Sequence, residues 1–316
     1  MNEIQLPSGL SVLSHLDKRV RPPVDYQKTI EAARILQEQQ RSRELWQPEA
    51  SVKITTRDPV LVTYFGDLHI GNIEVQYDKL FEMFLRIKEG RNHFAVFAGD
   101  DVDNAFIFRE GGNADILTYE MQGELAKQSI GELDQAGKVL FSGSGNHNRF
   151  VQNWYDNYYR DFQTPLIGPN MGTCHVGVGD QNYDISYFHK ITMGNSTMSP
   201  FLREQRAVEY WFPNSDIIIG AHTHRKGVAQ YNIGLDGNKR LRTMIEAGTM
   251  KPGEHFQREQ GNMRLTQFDT CGVSTILFPD TKRVIPYYNF DEAIDGFNGL
   301  TGLRTILTAT TSKLLR

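Results

Sequence analysis

The chain has 316 residues, 39% hydrophobic and 23% charged, with a formal net charge of −4 at pH 7. That profile supports a sizeable core in one large α/β domain or two small ones, and it excludes binding to nucleic acid or acidic membrane by bulk positive charge. The two cysteines, Cys174 and Cys271, lie far apart and form no CxxC, so neither a disulfide framework nor a zinc ribbon is indicated. No stretch reaches the roughly 18 apolar residues of a membrane span, and MNEIQLPSGLSV lacks a basic segment followed by an apolar one; the expectation is a cytoplasmic chain with no membrane partner.

Residues 1–56 read as an N-terminal extension, with a helix from about Val24 to Trp46 after Pro22-Pro23. Residues 57–290 read as the main domain and 291–316 as a tail with helical pattern. From Pro59 onward strands and helices alternate. A buried strand over 59–65 precedes a helix near 77–89 with an apolar stripe of Leu80, Phe81, Phe84, Leu85 and Ile87. Strand 93–98, a helix near 116–136 and strand 138–142 follow. An aromatic helix is expected around 151–162, a strand over Tyr183–Phe188, a helix near 200–212 and a strand over 216–220. β-rich sequence then runs to about Tyr288. Alternation of this kind predicts layered α/β packing, with a second sheet at the β-rich end.

Open α/β sheets bind ligands at the carboxyl ends of their strands, and the polar residues of this chain gather there. Asp67 and His69 follow the first strand in GDLH, and Asp100 and Asp103 the second in GDDVDN. Asn146 and His147 stand in SGNHN, His189 in YFHK, and His222 and His224 in AHTH. Five of the nine histidines fall at strand ends; ordinary polar residues would scatter over helices and loops as well. Asp67, His69, Asp100, Asn146, His189, His222 and His224 make seven oxygen and nitrogen donors, too many for one tetrahedral zinc. They suit two ions about 3.5–4 Å apart, with one carboxylate between them. Without cysteine among the donors, Mn, Fe, Zn or a mixed pair fits better than a thiophilic metal, and Mn is the first expectation.

In that order and spacing, GDLH, GDDVDN, GNH, a single histidine after a strand, and AHTH resemble the calcineurin-like metallophosphoesterase superfamily, whose pattern is D-x-H, GD-x-x-D, GNH-(D/E), H, GH-x-H. The resemblance spans about residues 59–250. It implies a four-layer α/β/β/α sandwich with two divalent metals at its apex. It places Asp67, His69 and His224 on one metal, Asn146, His189 and His222 on the other, and Asp100 between them together with a hydroxide that attacks the phosphorus. His147 would protonate the leaving group, and Asp103 would orient that imidazole.

Departures from the pattern bear on the substrate. Asn148 stands where the family has Asp or Glu, and Ala221 where it has Gly. Asn104 and FHKI replace the arginine and the His-Gly-Gly of phosphoprotein phosphatases, and the cysteine of RNA lariat debranching enzymes is missing. Arg149 is a candidate phosphate contact. From His222 to Arg264 eight basic residues face four acidic ones, a local surplus that suits either a solvated hairpin or a phosphate-backbone groove. Trp154, Tyr155, Tyr158 and Tyr159 recur at helical spacing, which favours a buried amphipathic face over a base-stacking platform. The expected function is hydrolysis of phosphodiesters, DNA or RNA among them. The alternatives are a small nucleotide or phosphomonoester as substrate, or a non-catalytic metal-stabilised scaffold.

Overall fold

The computed structural model describes residues 26–43, 47–104, 115–149, 159–190, 201, 205–207, 210–233, 240–251 and 270–314; for 26, 36–43, 149, 233 and 307–314 it describes the backbone only. The chain divides into two units, Met1–Leu45 and Trp46–Arg316. The first carries α1 (Tyr26–Arg43), within the expected 24–46.

In the second unit, twelve strands form two six-stranded sheets among the described residues. In chain order they are β1 (Glu49–Ile54), β2 (Val60–Phe65), β3 (His93–Ala98), β4 (Val139–Gly143), β5 (Leu166–Ile167), β6 (Met171–Val178), β7 (Gln181–Phe188), β8 (Ile217–Gly220), β9 (Lys226–Ile233), β10 (Arg240–Ala247), β11 (Val273–Leu277) and β12 (Val284–Tyr287). The helices with both ends among the described residues include α2 (Tyr77–Glu89), α3 (Tyr119–Gln135), the one-turn α4 (Asn146–Arg149) and α5 (Phe290–Leu314). One sheet runs β12-β11-β2-β3-β4-β5, with β2 to β5 parallel and β11 antiparallel to β2. The other runs β1-β6-β7-β8-β10-β9, with β7, β8 and β10 parallel.

Strand alternation explains why the sheets stack. In β2, Val60, Val62 and Tyr64 point to one face and meet Val176, Ile185, Ile219 and Ile245 of the other sheet in one continuous core. Leu61 and Phe65 point to the opposite face. There Leu61 packs with Ala293 and Phe297 of α5, and Phe65 with Phe84 of α2 at 5.3 Å between ring centroids. On the outside of the second sheet, Phe188 and Ile218 pack with Ala207, in the helical residues 205–207, and with Phe212. Helix, sheet, sheet, helix is the four-layer α/β/β/α sandwich.

Some expectations shift in detail. In α2 the buried set is Leu80, Met83, Phe84 and Ile87, while Phe81 and Leu85 stay exposed. The buried four follow i, i+3, i+4, i+7 and hold one face, from which Phe81 and Leu85 are rotated away. β1 falls inside the span 1–56 and pairs with β6. Most of the expected helix 151–162 lies outside the described residues. No helix among the described residues is long and apolar enough to cross a membrane.

Candidate metal centre

β2, β3, β4, β7 and β8 all end on the same side of the sandwich, and each hands over to a loop carrying one of the motif residues. The first two loops are laced together as a continuation of the parallel β2–β3 pairing. Asp67 N donates to Gly99 O at 3.0 Å, His69 N to Asp100 O at 3.0 Å, Ile70 N to Asp101 O at 2.9 Å, and Asp103 N back to Ile70 O at 3.0 Å. Thr249 Oγ1 and Met250 N both donate to Asp67 O, at 2.8 and 3.1 Å, tying in the segment after β10. Gly145 lets the β4–α4 turn close on Asp100, since a Cβ there would lie 2.1 Å from Asp100 Oδ1. The backbone at the motif residues is itself unusual. Asp67, His69, Asp100, His222 and His224 have φ of 50°, 51°, 52°, 75° and 58°, the left-handed region that side-chain-bearing residues rarely adopt and that clusters at functional sites.

Three groups of donors result, two of them sharing His69. Asp67, His69 and His224 converge in the first, Asp100, His189 and His222 in the second, and His69, Asp103 and His147 in the third. His69 Nε2 and His224 Nε2 are 3.0 Å apart, and Asp67 Oδ1 lies 3.9 Å from the former and 3.7 Å from the latter. His189 Nε2 lies 2.8 Å from Asp100 Oδ2 and 3.7 Å from Asp67 Oδ1, which links the groups. His189 Nδ1 is fixed on Ala98 O at 2.9 Å, so its Nε2 faces the carboxylates.

This donor set fits divalent cations. Ligands about 2.1 Å from a cation stand about 3.0–3.5 Å from one another, close to the spacing seen here. Asp67 Oδ1 and Asn146 Oδ1 are buried and accept no hydrogen bond from the protein, an arrangement that is costly unless another positive group serves them. Asn146 opens α4, whose next residue donates from His147 N to Asp100 Oδ1 at 2.8 Å.

Electrostatics follow from burial and crowding. Burial holds the Asp67 carboxyl above its ordinary range, against the pull of His224 and His189. Burial also opposes ionisation of Asp100, but His189, His147 and His69 together outweigh it and hold that carboxyl well below its ordinary range. Burial and then Lys251 push His69 down to about 3, and burial and then His189 push His222 down to about 4. For His189, burial is overcome by the adjoining Asp100 carboxylate, and the imidazole rises to about 9.

A search of protein-family models and a search of curated proteins return no match. Solved structures similar to the chain include vacuolar protein sorting 29 of Cryptosporidium parvum, at 15% identity over 73% of this chain and 97% of that one, with a TM-score of 0.36. A metallophosphoesterase of Sphaerobacter thermophilus is similar at 15% identity over 72% of this chain and 87% of that one, with a TM-score of 0.36. A protein serine/threonine phosphatase of Saccharomyces cerevisiae is similar at 13% identity over 82% of this chain and 88% of that one, with a TM-score of 0.36. At such identities and scores these likenesses do not bear on what the chain does. The five motif blocks, met in order along the sequence, end on one side of a four-layer sandwich and bring eight of their residues into three donor groups. The chain resembles the calcineurin-like metallophosphoesterases.

Around the metallophosphoesterase-like core, the structure places Asp103 differently from the expectation that its carboxylate orients His147. Asp103 Oδ1 lies 2.6 Å from His69 Nδ1, off the line of a ring N–H hydrogen bond, and 3.2 Å from Lys251 Nζ. Oδ2 accepts from Asn72 Nδ2 at 2.8 Å. His147 is steered instead by the main chain of Asp103, whose carbonyl oxygen contacts Nδ1. Lys251 and Asn72 carry no motif and were not legible as members of the site. The side chain of Arg149 lies outside the described residues.

Several described members of the basic run are engaged within the fold. Arg242 is buried and donates to Ser215 O at 2.7 Å and Pro213 O at 2.6 Å, and Arg240 donates to Asn214 O at 3.0 Å. Lys251 faces Asp103. Arg258 and Arg264 lie outside the described residues, as do Trp154, Tyr155 and Tyr158, while Tyr159 is buried.

Proposed function

We propose that the chain is a hydrolase of phosphate esters that uses two divalent metal ions. The observation that carries this reading is the convergence of Asp67, His69 and His224 beside Asp100, His189 and His222, with Asp67 Oδ1 buried and accepting no protein hydrogen bond. Asp67, His69 and His224 would hold one ion and Asn146, His189 and His222 the other, with Asp100 shared. When bound, such ions acidify water and neutralise charge on phosphoryl oxygens. Manganese is the metal to test first, with iron, zinc or a mixed pair as alternatives.

The chain's own residues complete the chemistry. The contact of His147 Nδ1 with the Asp103 carbonyl favours a proton on Nδ1 and turns Nε2 away from that carbonyl. As an imidazolium, His147 would deliver its Nε2 proton to the leaving oxygen and keep the Nδ1 proton on the Asp103 carbonyl. Lys251, 12% exposed and drawn in by Asp103, adds a cation beside His69. Phosphodiesters are the favoured substrates, because the residues that mark phosphoprotein phosphatases are replaced by Asn104 and FHKI. The nucleic-acid version has less support, since Arg242 and Arg240 are committed to backbone carbonyls.

The test is a panel of aryl and nucleotide phosphodiesters, phosphomonoesters and labelled DNA and RNA, assayed with Mn²⁺ and with EDTA. Mn²⁺-dependent turnover of diesters supports the proposal. Turnover of monoesters alone would move the substrate to the alternative class, and metal binding without turnover of any member would make the protein a scaffold.

A further inference from the structure

The position after His147 is the clearest departure from the family pattern, and the structure shows what occupies it. Asn148 is 1% exposed. Its Oδ1 accepts from Asp101 N at 3.0 Å and its Nδ2 donates to Asp101 Oδ2 at 3.2 Å. Asp101 is equally buried, and the hydroxyl of buried Tyr159 donates to the same Oδ2. Asp101 follows Asp100 in the loop after β3. Asn148 follows Asn146 and His147 in α4. The amide therefore ties the loop that carries the shared carboxylate to the turn that carries the proposed ligand and the proposed acid.

The chemistry of the pair is directional. Asn148 accepts from a main-chain N–H and donates to a carboxylate, which an amide can do and an ionised carboxylate cannot. An ionised carboxylate at 148 would satisfy the N–H yet present a lone pair, not a donor, to Asp101 Oδ2 in a buried site. An ionised carboxylate at 148 is thus unfavourable beside Asp101 as it stands here.

We propose that Asp101 and Asn148 are an exchanged carboxylate–amide pair whose function is to position α4, so that the negative charge the family pattern puts at 148 is carried by 101 in this chain. The residues act through Asn146 and His147 rather than on substrate, so they are positioning residues. The inference rests on the proposed metal-dependent reading of the same site.

A double-mutant cycle tests it, with Mn²⁺ affinity by calorimetry, kcat and KM on an aryl phosphodiester, and thermal unfolding in EDTA measured for each protein. Asn148→Asp alone is expected to weaken Mn²⁺ binding and lower kcat/KM about tenfold or more, and Asp101→Asn alone about threefold. The double variant Asp101→Asn/Asn148→Asp restores one amide opposite one carboxylate. It should return both readouts to within about threefold of the parent, a strong favourable coupling. A double variant that loses as much as the two single losses combined overturns the exchange. So does a set in which only unfolding temperature changes while Mn²⁺ affinity, kcat and KM stay at parent values. Should Asn148→Asp not fold, a double variant that folds and binds Mn²⁺ as the parent does supports the proposal, and one that also fails to fold refutes it. A parent protein that binds Mn²⁺ but hydrolyses no phosphate ester would sink the proposed function, and the Mn²⁺-affinity cycle would still decide this inference.

Discussion

Asp103→Asn separates the expected role of this carboxylate from the one its surroundings indicate. Its two oxygens face His69 Nδ1 at 2.6 Å, Lys251 Nζ at 3.2 Å and Asn72 Nδ2 at 2.8 Å, while its main-chain oxygen contacts His147 Nδ1. A negative charge so close to Nδ1 favours the proton there and leaves the Nε2 lone pair facing His224 and Asp67. An uncharged amide removes that bias. It also deprives the mostly buried Lys251 ammonium of its anion. Outer-shell partners of ligating histidines are worth about 10–100-fold in metal affinity, so Mn²⁺ binding should weaken by that factor. Loss of the charged contact to Lys251 should cost about 1–3 kcal/mol of stability, or about 2–12 °C in melting temperature for a unit of this size. The assay is hydrolysis of matched aryl and alkyl phosphodiesters across a Mn²⁺ titration. Excess Mn²⁺ should restore most of the rate on both esters, because His147 keeps its carbonyl contact. A parental Mn²⁺ midpoint with a selective loss on the alkyl ester would refute this account and return the carboxylate to His147.

His147→Ala should keep parental metal stoichiometry and slow alkyl esters by about 10²–10⁴-fold while sparing activated aryl esters; equal losses on both would remove its role as acid. Asp100→Asn should abolish turnover and lower metal content by elemental analysis, and a variant with two bound metals and normal rates contradicts the two-metal site. Gly145→Ala forces a methyl to within 2.1 Å of Asp100 Oδ1 and 2.5 Å of Asp100 N; it should cost about 1–3 kcal/mol in thermal unfolding and weaken Mn²⁺ binding, whereas parental values for both would mean the turn does not close on Asp100. Away from the site, burial, with Lys138 and Arg86 adding to it, pushes His93 down to about 3. Its stabilising contribution is complete above the unfolded value of about 6.5 and is lost as pH falls from there towards 3, reaching about 2–3 kcal/mol at pH 4.5. His93→Gln should flatten that part of the stability–pH curve, and an unchanged slope shows that His93 is not buried neutral.

How much was legible follows from the signal each element carries. β2, β3 and β4 are buried runs bounded by polar turns, and their sequence boundaries fall within about one residue of the observed ones. β1 escaped because EASVKI is an edge strand with charged and polar residues on its open face, so its pattern resembles an extension. β6, MGTCHVGV, is diluted by Gly172 and Gly177. In the site, residues at strand ends were legible because the strands themselves fix where they emerge. The partners of Asp103 and Asn148 were not. Lys251 lies 148 residues from Asp103 and Asp101 lies 47 from Asn148, and nothing local marks either pair. Nor does charge counted along a sequence reveal that Arg242 turns inward.

The left-handed backbone at the motif residues also explains why the two main loops are so closely laced. Each side-chain-bearing residue held there costs roughly 1–3 kcal/mol, and five such residues approach the net stability of a whole domain. Glycine would remove the strain, as it does at Gly99 and Gly248 with φ of 98° and 81°. It cannot do so at Asp67, His69, Asp100, His222 or His224 without discarding the donor. The structure offsets the cost locally. Asp67 N, His69 N and Ile70 N each donate across to the second loop, Asp67 O accepts twice, and Asp67 Oδ2 accepts from His222 N at 2.7 Å. The same residue thus presents a buried oxygen to the donor group with Oδ1 and fastens the His222–His224 turn with Oδ2. Conformation and charge at Asp67 are therefore held by contacts from three separate strand ends, and the geometry of the first donor group depends on all of them.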